Sequence, residues 1–199
     1  MQPTDILSAE HRVIEQVLDC LERLAAAARG STGLDRERAG QALEVLRTYA
    51  DRCHHGKEED RLFPLMERRG LPRHVGPIAV MLDDHKVGRS LIRQMGDALE
   101  DTGPEAARRF ADAASGYVEL LRDHIAKEDG VLFPLAESLL DDAARQDLRA
   151  EFERFEREDL EPGTVARMRA LADGLARHFD VPLAAQRKRP DVQGHACFH

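Results

Sequence analysis

The chain has 199 residues, of which 42% are hydrophobic and 33% charged, with a formal net charge of -8. That length supports one domain with a sizeable core, the apolar content excludes a disordered chain, and the acidic balance excludes the basic face that nucleic-acid binding needs. Helix formers (Ala, Leu, Glu, Arg) are abundant and β-branched residues sparse, so helices are expected rather than strands.

The first helix is expected from about residue 4 or 5 to 28, where Ile6, Leu7, Ile14, Val17, Leu18, Leu21 and Leu24 keep a helical period. Gly30 and Gly33 should stop it. It carries Glu10 and His11 side by side. The second helix should run from Asp35, a plausible N-cap, to about Arg68, with Pro64 kinking it or ending it early. It contains HHGKEEDRLFP, residues 54–64. The third is expected from residue 75 or 78 to 99 and carries Asp84 and His85. The fourth should start near Pro104, which suits a first-turn position, and run toward residue 140 with a break near 130–134. It contains HIAKEDGVLFP, residues 124–134.

Two shorter helices are expected at about 142–159 and 163–178. The remainder, from about 181, is polar and Pro-containing, and its basic run QRKRP reads as part of a mobile, solvated tail. Four long helices with short connections predict an all-α, up-down-up-down four-helix bundle with two additional C-terminal helices packed on it. The expected organisation is therefore a bundle over 1–140, a helical extension over 141–180 and a tail over 181–199. Three cysteines, an odd count without a CxxC pair, argue against a disulfide framework and for a reducing compartment. No secretory leader or membrane-spanning run is visible, so no membrane association and a cytoplasmic location are expected.

The chemistry lies in the repetition. Aligned without a gap, the two quoted stretches share His, Lys, Glu, Leu, Phe and Pro. Each is preceded, one helix earlier, by an acid-His dipeptide. The two sets are His11, His54, Glu58 and His85, His124, Glu128. Residues four apart share one face of an α-helix, so His54 points with Glu58 and His124 with Glu128. If the bundle turns these faces inward, four imidazoles and two carboxylates meet in an apolar core. Burying such carboxylates unpaired costs several kcal/mol, and cations would offset that cost. Two fit the two halves better than one, and mixed His and carboxylate ligation suits iron or manganese without by itself excluding zinc. A solvated i,i+4 pair is the bland reading of one such motif, but it gives no reason for the Leu-Phe-Pro to recur.

His55 lies about 100° around an α-helix from His54, so it is expected at the surface or behind the metal ligands. Glu10, Asp51, Glu59, Asp84 and Asp123 are candidates to accept the second N–H of the ligand imidazoles. Tyr117, Tyr49 and Cys53 read as core groups near the site, and the late His178, His195 and His199 as unrelated to it.

The double motif, H-x-x-x-E-E-x-x-L-F-P and H-x-x-x-E-x-x-x-L-F-P with an isolated acid-His before each, resembles the hemerythrin-like, or HHE cation-binding, family over roughly residues 4–178. The resemblance implies a four-helix bundle with two Fe ions: His11 and His54 on one, His85 and His124 on the other. Glu58 and Glu128 would bridge them together with an oxo or hydroxo group. It also implies a small-molecule oxidant as partner (oxygen, peroxide or nitric oxide), and an electron donor if the centre turns over as a di-iron oxidoreductase. The alternative is a non-enzymatic oxygen, redox or iron sensor. The oxygen-carrying members have a second His four residues after the first on the third helix, where this chain has Arg89, and an Asp at the spacing of Asp129 on the fourth. Four His rather than five should leave more open positions and shift weight from oxygen storage to redox chemistry. The family's cluster-repair proteins share the four-His, two-Glu set but usually carry a Cys-bearing N-terminal domain, which is not seen in this sequence.

Overall fold

The computed structural model describes residues 2–31 and 33–187. Among these there are six long helices and no strand. Helix α1 is Pro3–Arg29. Helix α2 is continuous over 36–68, with Asp35 capping it by accepting the Arg38 N–H at 3.0 Å. Helix α3 is Pro77–Glu100, α4 is continuous over 106–139, α5 is Asp142–Glu158 and α6 is Thr164–Phe179. The first four form the bundle, α1 against α2 and α4, and α3 against α2 and α4. Both later helices lie on the α1–α2 side: α6 on both helices, α5 on α1 and the 58–62 stretch of α2. No described helix is long and apolar enough to cross a membrane.

Neither proline breaks its helix. Helix α2 passes through two wide, π-helical stretches, Leu46–His55 and Glu58–Leu62, and α4 through one, Glu128–Leu132. Pro64 and Pro134 each fall in the first turn of the α-helical stretch that follows, Phe63–Arg68 and Phe133–Leu139. Proline has no N–H to give to the carbonyl four residues back, and its ring crowds that carbonyl. A switch to five-residue hydrogen bonds just before it opens the turn. Accordingly the Phe63 N–H donates to the Glu58 carbonyl and the Phe133 N–H to that of Glu128. The break expected at 130–134 is thus a wide turn inside an unbroken helix.

The core is split. One apolar cluster, with Leu18, Leu21, Leu46, Phe110 and Tyr117, fills one end of the bundle. Another, with Leu7, Phe63, Met66, Met81, Phe133 and Phe152, fills the other. Between them lies a layer of buried His, Glu and Lys. The segment expected to be mobile from 181 is held as far as Arg187: the Ala184 N–H donates to buried Gln16, and Arg187 pairs with Asp19 at 2.6 Å. The rest of that expected tail, with His195, Cys197 and His199, lies outside the described residues.

Candidate metal centre

All six residues singled out by the repeat are buried in this polar layer. The α1 and α2 imidazoles face each other, His11 Nε2 to His54 Nε2 at 3.1 Å. So do those of α3 and α4, His85 Nε2 to His124 Nε2 at 3.2 Å. The two glutamates lie between the pairs. Glu128 Oε2 is 3.1 Å from His11 Nε2 and 3.3 Å from His124 Nε2, while Glu58 stands 3.7 Å from His54 and 3.5 Å from His85.

Every one of these rings is anchored from behind. His54 Nδ1 is 3.0 Å from Glu10, His124 Nδ1 3.2 Å from Asp84, His85 Nδ1 2.7 Å from Glu59 and His11 Nδ1 3.0 Å from Asp129. The carboxylates follow the repeat. The acid before the first His of each half holds the second His of that half. The residue after each central Glu holds a ring of the opposite half. Lys57 and Lys127 occupy matching positions and bind Glu10 and Asp84 respectively. Even the flanking phenyls correspond: Phe133 stacks on His11 at 5.3 Å and Phe63 on His85 at 6.1 Å. Glu10, Glu59 and Asp84 therefore stand where the sequence placed outer partners. Asp123 does not; it is exposed and pairs with Lys127 at 3.0 Å. Asp129, which has the spacing of the oxygen carriers' Asp, accepts from His11, Ser8 and Arg12.

An imidazole whose Nδ1–H donates to a carboxylate presents a lone pair at Nε2. Two such nitrogens face each other in each half, which is stable only with something positive between them. Without a cation, a proton must serve. Burial lowers the pKa of His11 but hydrogen bonds to Asp129 and Glu128 outweigh it and raise it. Burial lowers that of its neighbour His54. Likewise burial lowers His85 well below the usual value. Against the same burial, the charge of Glu128 and the Asp84 hydrogen bond lift His124 to about 9. In each half one ring of the facing pair is thus held toward its protonated form and the other toward its neutral form. Glu58 is pushed well above the carboxylate range by burial and by the Glu128 charge. Both its oxygens, and Oε1 of Glu128, are buried with no hydrogen-bond partner. Orphaned acceptors of this kind are costly; cations would satisfy them, and the donor types fit iron or manganese.

The donor atoms fall into two groups, each with its atoms within 4.8 Å of one another: His11, His54, Glu58 and Glu128, and His55, Glu58, His85 and His124. His55, expected at the surface or behind the metal ligands, is not at the surface. It is 3% exposed, and its ring stacks on that of His85 at 3.8 Å. The reason is the π-helical Leu46–His55 stretch, in which successive residues turn through less than the ~100° of an α-helix. Neighbouring histidines can then both reach the interior. A third donor cluster, Glu10, Cys53 and Glu156, already contains a cation, the Lys57 ammonium bound to both carboxylates. Tyr49 donates nothing to the site; its hydroxyl accepts from Arg169 of α6 at 3.1 Å. His178 is exposed on α6.

A family model described as the hemerythrin HHE cation binding domain matches residues 2–136. Among curated proteins, the chain is 35% identical over 112 residues to the iron-sulfur cluster repair protein YtfE of Edwardsiella ictaluri (strain 93-146), covering 54% of this chain and 50% of that one. It is 34% identical over 88 residues to the protein of the same name from Escherichia coli (strain K12 / DH10B), covering 42% and 40%. The chain thus spans half or less of the length of these relatives. No solved structure matches.

Proposed function

Because the chain belongs to the hemerythrin HHE cation-binding family, we propose that His11, His54, Glu58, His85, His124 and Glu128 hold two iron ions, and that the centre binds and reacts with a small oxidant: oxygen, peroxide or nitric oxide. The observation that carries this reading is the pair of facing Nε2 lone pairs, 3.1 and 3.2 Å apart, with orphaned glutamate oxygens between them. Bound iron would supply a one-electron couple and open positions for a small ligand. The chain's own residues do the rest. Glu10, Glu59, Asp84 and Asp129 fix the tautomer and aim of each ring. Phe63 and Phe133 wall the site from water. Glu58 and Glu128 reach both halves and keep the two positions together. Reduction of peroxide or nitric oxide would need an external electron donor. Buried, unpaired Cys20 and Cys53 suit a reducing, cytoplasmic setting.

The test is an absorption spectrum of purified protein, reduced and then exposed separately to oxygen, peroxide and nitric oxide, with iron quantified. About two irons per chain and a spectral change with at least one oxidant are expected on this coordination logic. Full occupancy by zinc alone, without iron absorption, would sink the reading, and manganese would correct the metal. The relatives' printed name favours a second reading, repair of iron–sulfur clusters. If it holds, the iron-loaded protein restores an oxidatively damaged cluster enzyme in vitro and Glu58→Ala does not.

A further inference from the structure

The five imidazoles of the polar layer share one construction. In each, Nδ1 meets a carboxylate: Glu10, Glu59, Asp84 and Asp129 for the four of the proposed centre, and Asp51 for His55, at 3.4 Å. Asp51 is itself held by Arg89 Nε at 2.7 Å, and the same guanidinium reaches Glu59 at 2.7 Å. One arginine of α3 therefore fixes the carboxylates behind both His55 and His85. What distinguishes His55 is its other nitrogen. The Nε2 atoms of the other four each lie within 3.3 Å of another imidazole or a glutamate oxygen, whereas Nε2 of His55 is buried with no partner at all. It belongs to the donor group formed with Glu58, His85 and His124.

We infer that His55 is a fifth imidazole ligand, which binds through Nε2 the cation held by His85, His124 and Glu58. The inference rests on the two-cation reading of the site and adds to it an asymmetry. The α3–α4 cation has three imidazoles and the α1–α2 cation two. Each group then supplies four protein donors, three imidazoles with Glu58 on one side and two imidazoles with both glutamates on the other. The repeat cannot supply this ligand twice, since Ile125 matches His55 in the second copy.

The experiment is proton NMR of the anaerobic Fe(II)-loaded full chain, counting exchangeable ring N–H signals shifted by the paramagnetic ions, alongside an Fe(II) titration of wild type and His55→Gln. Five such signals are expected in the wild type, four in His55→Gln, and a second-ion affinity weakened at least about tenfold. Four signals in a wild type that binds two ions would overturn the inference, as would two ions bound by His55→Gln with unchanged affinity. A wild type that binds one ion or none would instead overturn the two-cation reading. Should His55→Gln fail to fold by circular dichroism, the wild-type signal count alone decides between five and four.

Discussion

Lys57 is fully buried, held between Glu10 of α1 and Glu156 of α5. Its repeat partner Lys127 is one-fifth exposed, and pairs with Asp84 at 2.7 Å and Asp123 at 3.0 Å. The two half-sites agree in their histidines, their central glutamates, the carboxylates behind them and the stacked phenyls. They part in two respects: α5 and α6 pack chiefly on α1 and α2, and His55 enters only the α3–α4 group. The repeat therefore accounts for the inner machinery, and the two differences fall on opposite halves.

The largest effect should come from the glutamates. Both glutamates reach imidazoles of both halves, but Glu58 alone falls in both donor groups. Glu58→Ala is expected to lose both ions, and Glu128→Ala to keep about one per chain, on the ligand counts that metal sites require. Iron analysis after desalting reads this directly. Equal residual iron in the two variants would show that the halves share both glutamates alike.

Next comes the buried lysine. Removing one partner of a buried ion pair costs about 3–5 kcal/mol, so Lys57→Met should lose about that much in urea unfolding of the cation-free protein. Lys127→Met, at a partly exposed pair, should lose about 0–1 kcal/mol. Similar losses would mean that α5 does not seal the first half.

Much of this was legible in the sequence, because a repeat tests itself. His54 and Glu58 align with His124 and Glu128, and the structure brings all six repeated residues together in one layer. Outer partners were legible where they adjoin a ligand, as Glu10, Glu59 and Asp84 do. Asp129 was noted only for its spacing from His124, and its role behind His11 was missed because its alignment with Glu59, which meets His85, was not used. That His55 is buried beside His85 rather than at the surface was not legible, because the ~100° step was assumed. Pro64, two residues beyond the wide Glu58–Leu62 stretch, was the available sign that the helix departs from it. The docking of residues 181–187 had no local signal, because it depends on Gln16 and Asp19 of a distant helix.

Loading should expel protons, and pH should expose this. With His124 lifted to about 9, the cation-free native state keeps its proton at pH 7, and a bound ion must displace it. Affinity for Fe(II) is expected to rise from pH 7 toward 9 and level off above. At least one proton should be released per loaded chain at pH 7, from the His85–His124 pair. Isothermal titration in buffers of different ionisation heat counts them. Loading that releases no proton at pH 7 would mean that the ion does not enter between His85 and His124.

The smallest contrast concerns Gly56, where α5 meets α2. A Cβ there would stand 2.7 Å from Phe155 Cζ, so the glycine is what lets that ring pack against the wide turn. Its repeat partner, Ala126, is exposed, and no extension helix needs room there. Gly56→Ala gains about 0.5–1 kcal/mol of helix propensity but crowds a packed ring, which costs about 1–3 kcal/mol; a net loss of about 1 kcal/mol follows. Ala126→Gly forfeits about 0.5–1 kcal/mol of propensity and disturbs no packing. Cys53, packed with Phe155 and Leu160, reports the difference. Burial pushes its thiol up to about 12, so iodoacetamide at pH 8 should leave it unmodified in the wild type and in Ala126→Gly. It should react several-fold faster in Gly56→Ala as α5 lifts. If Gly56→Ala proves more stable than the wild type and Cys53 stays protected, the ring has room to move, and the cover over the first half is looser than the packing of Phe155 implies.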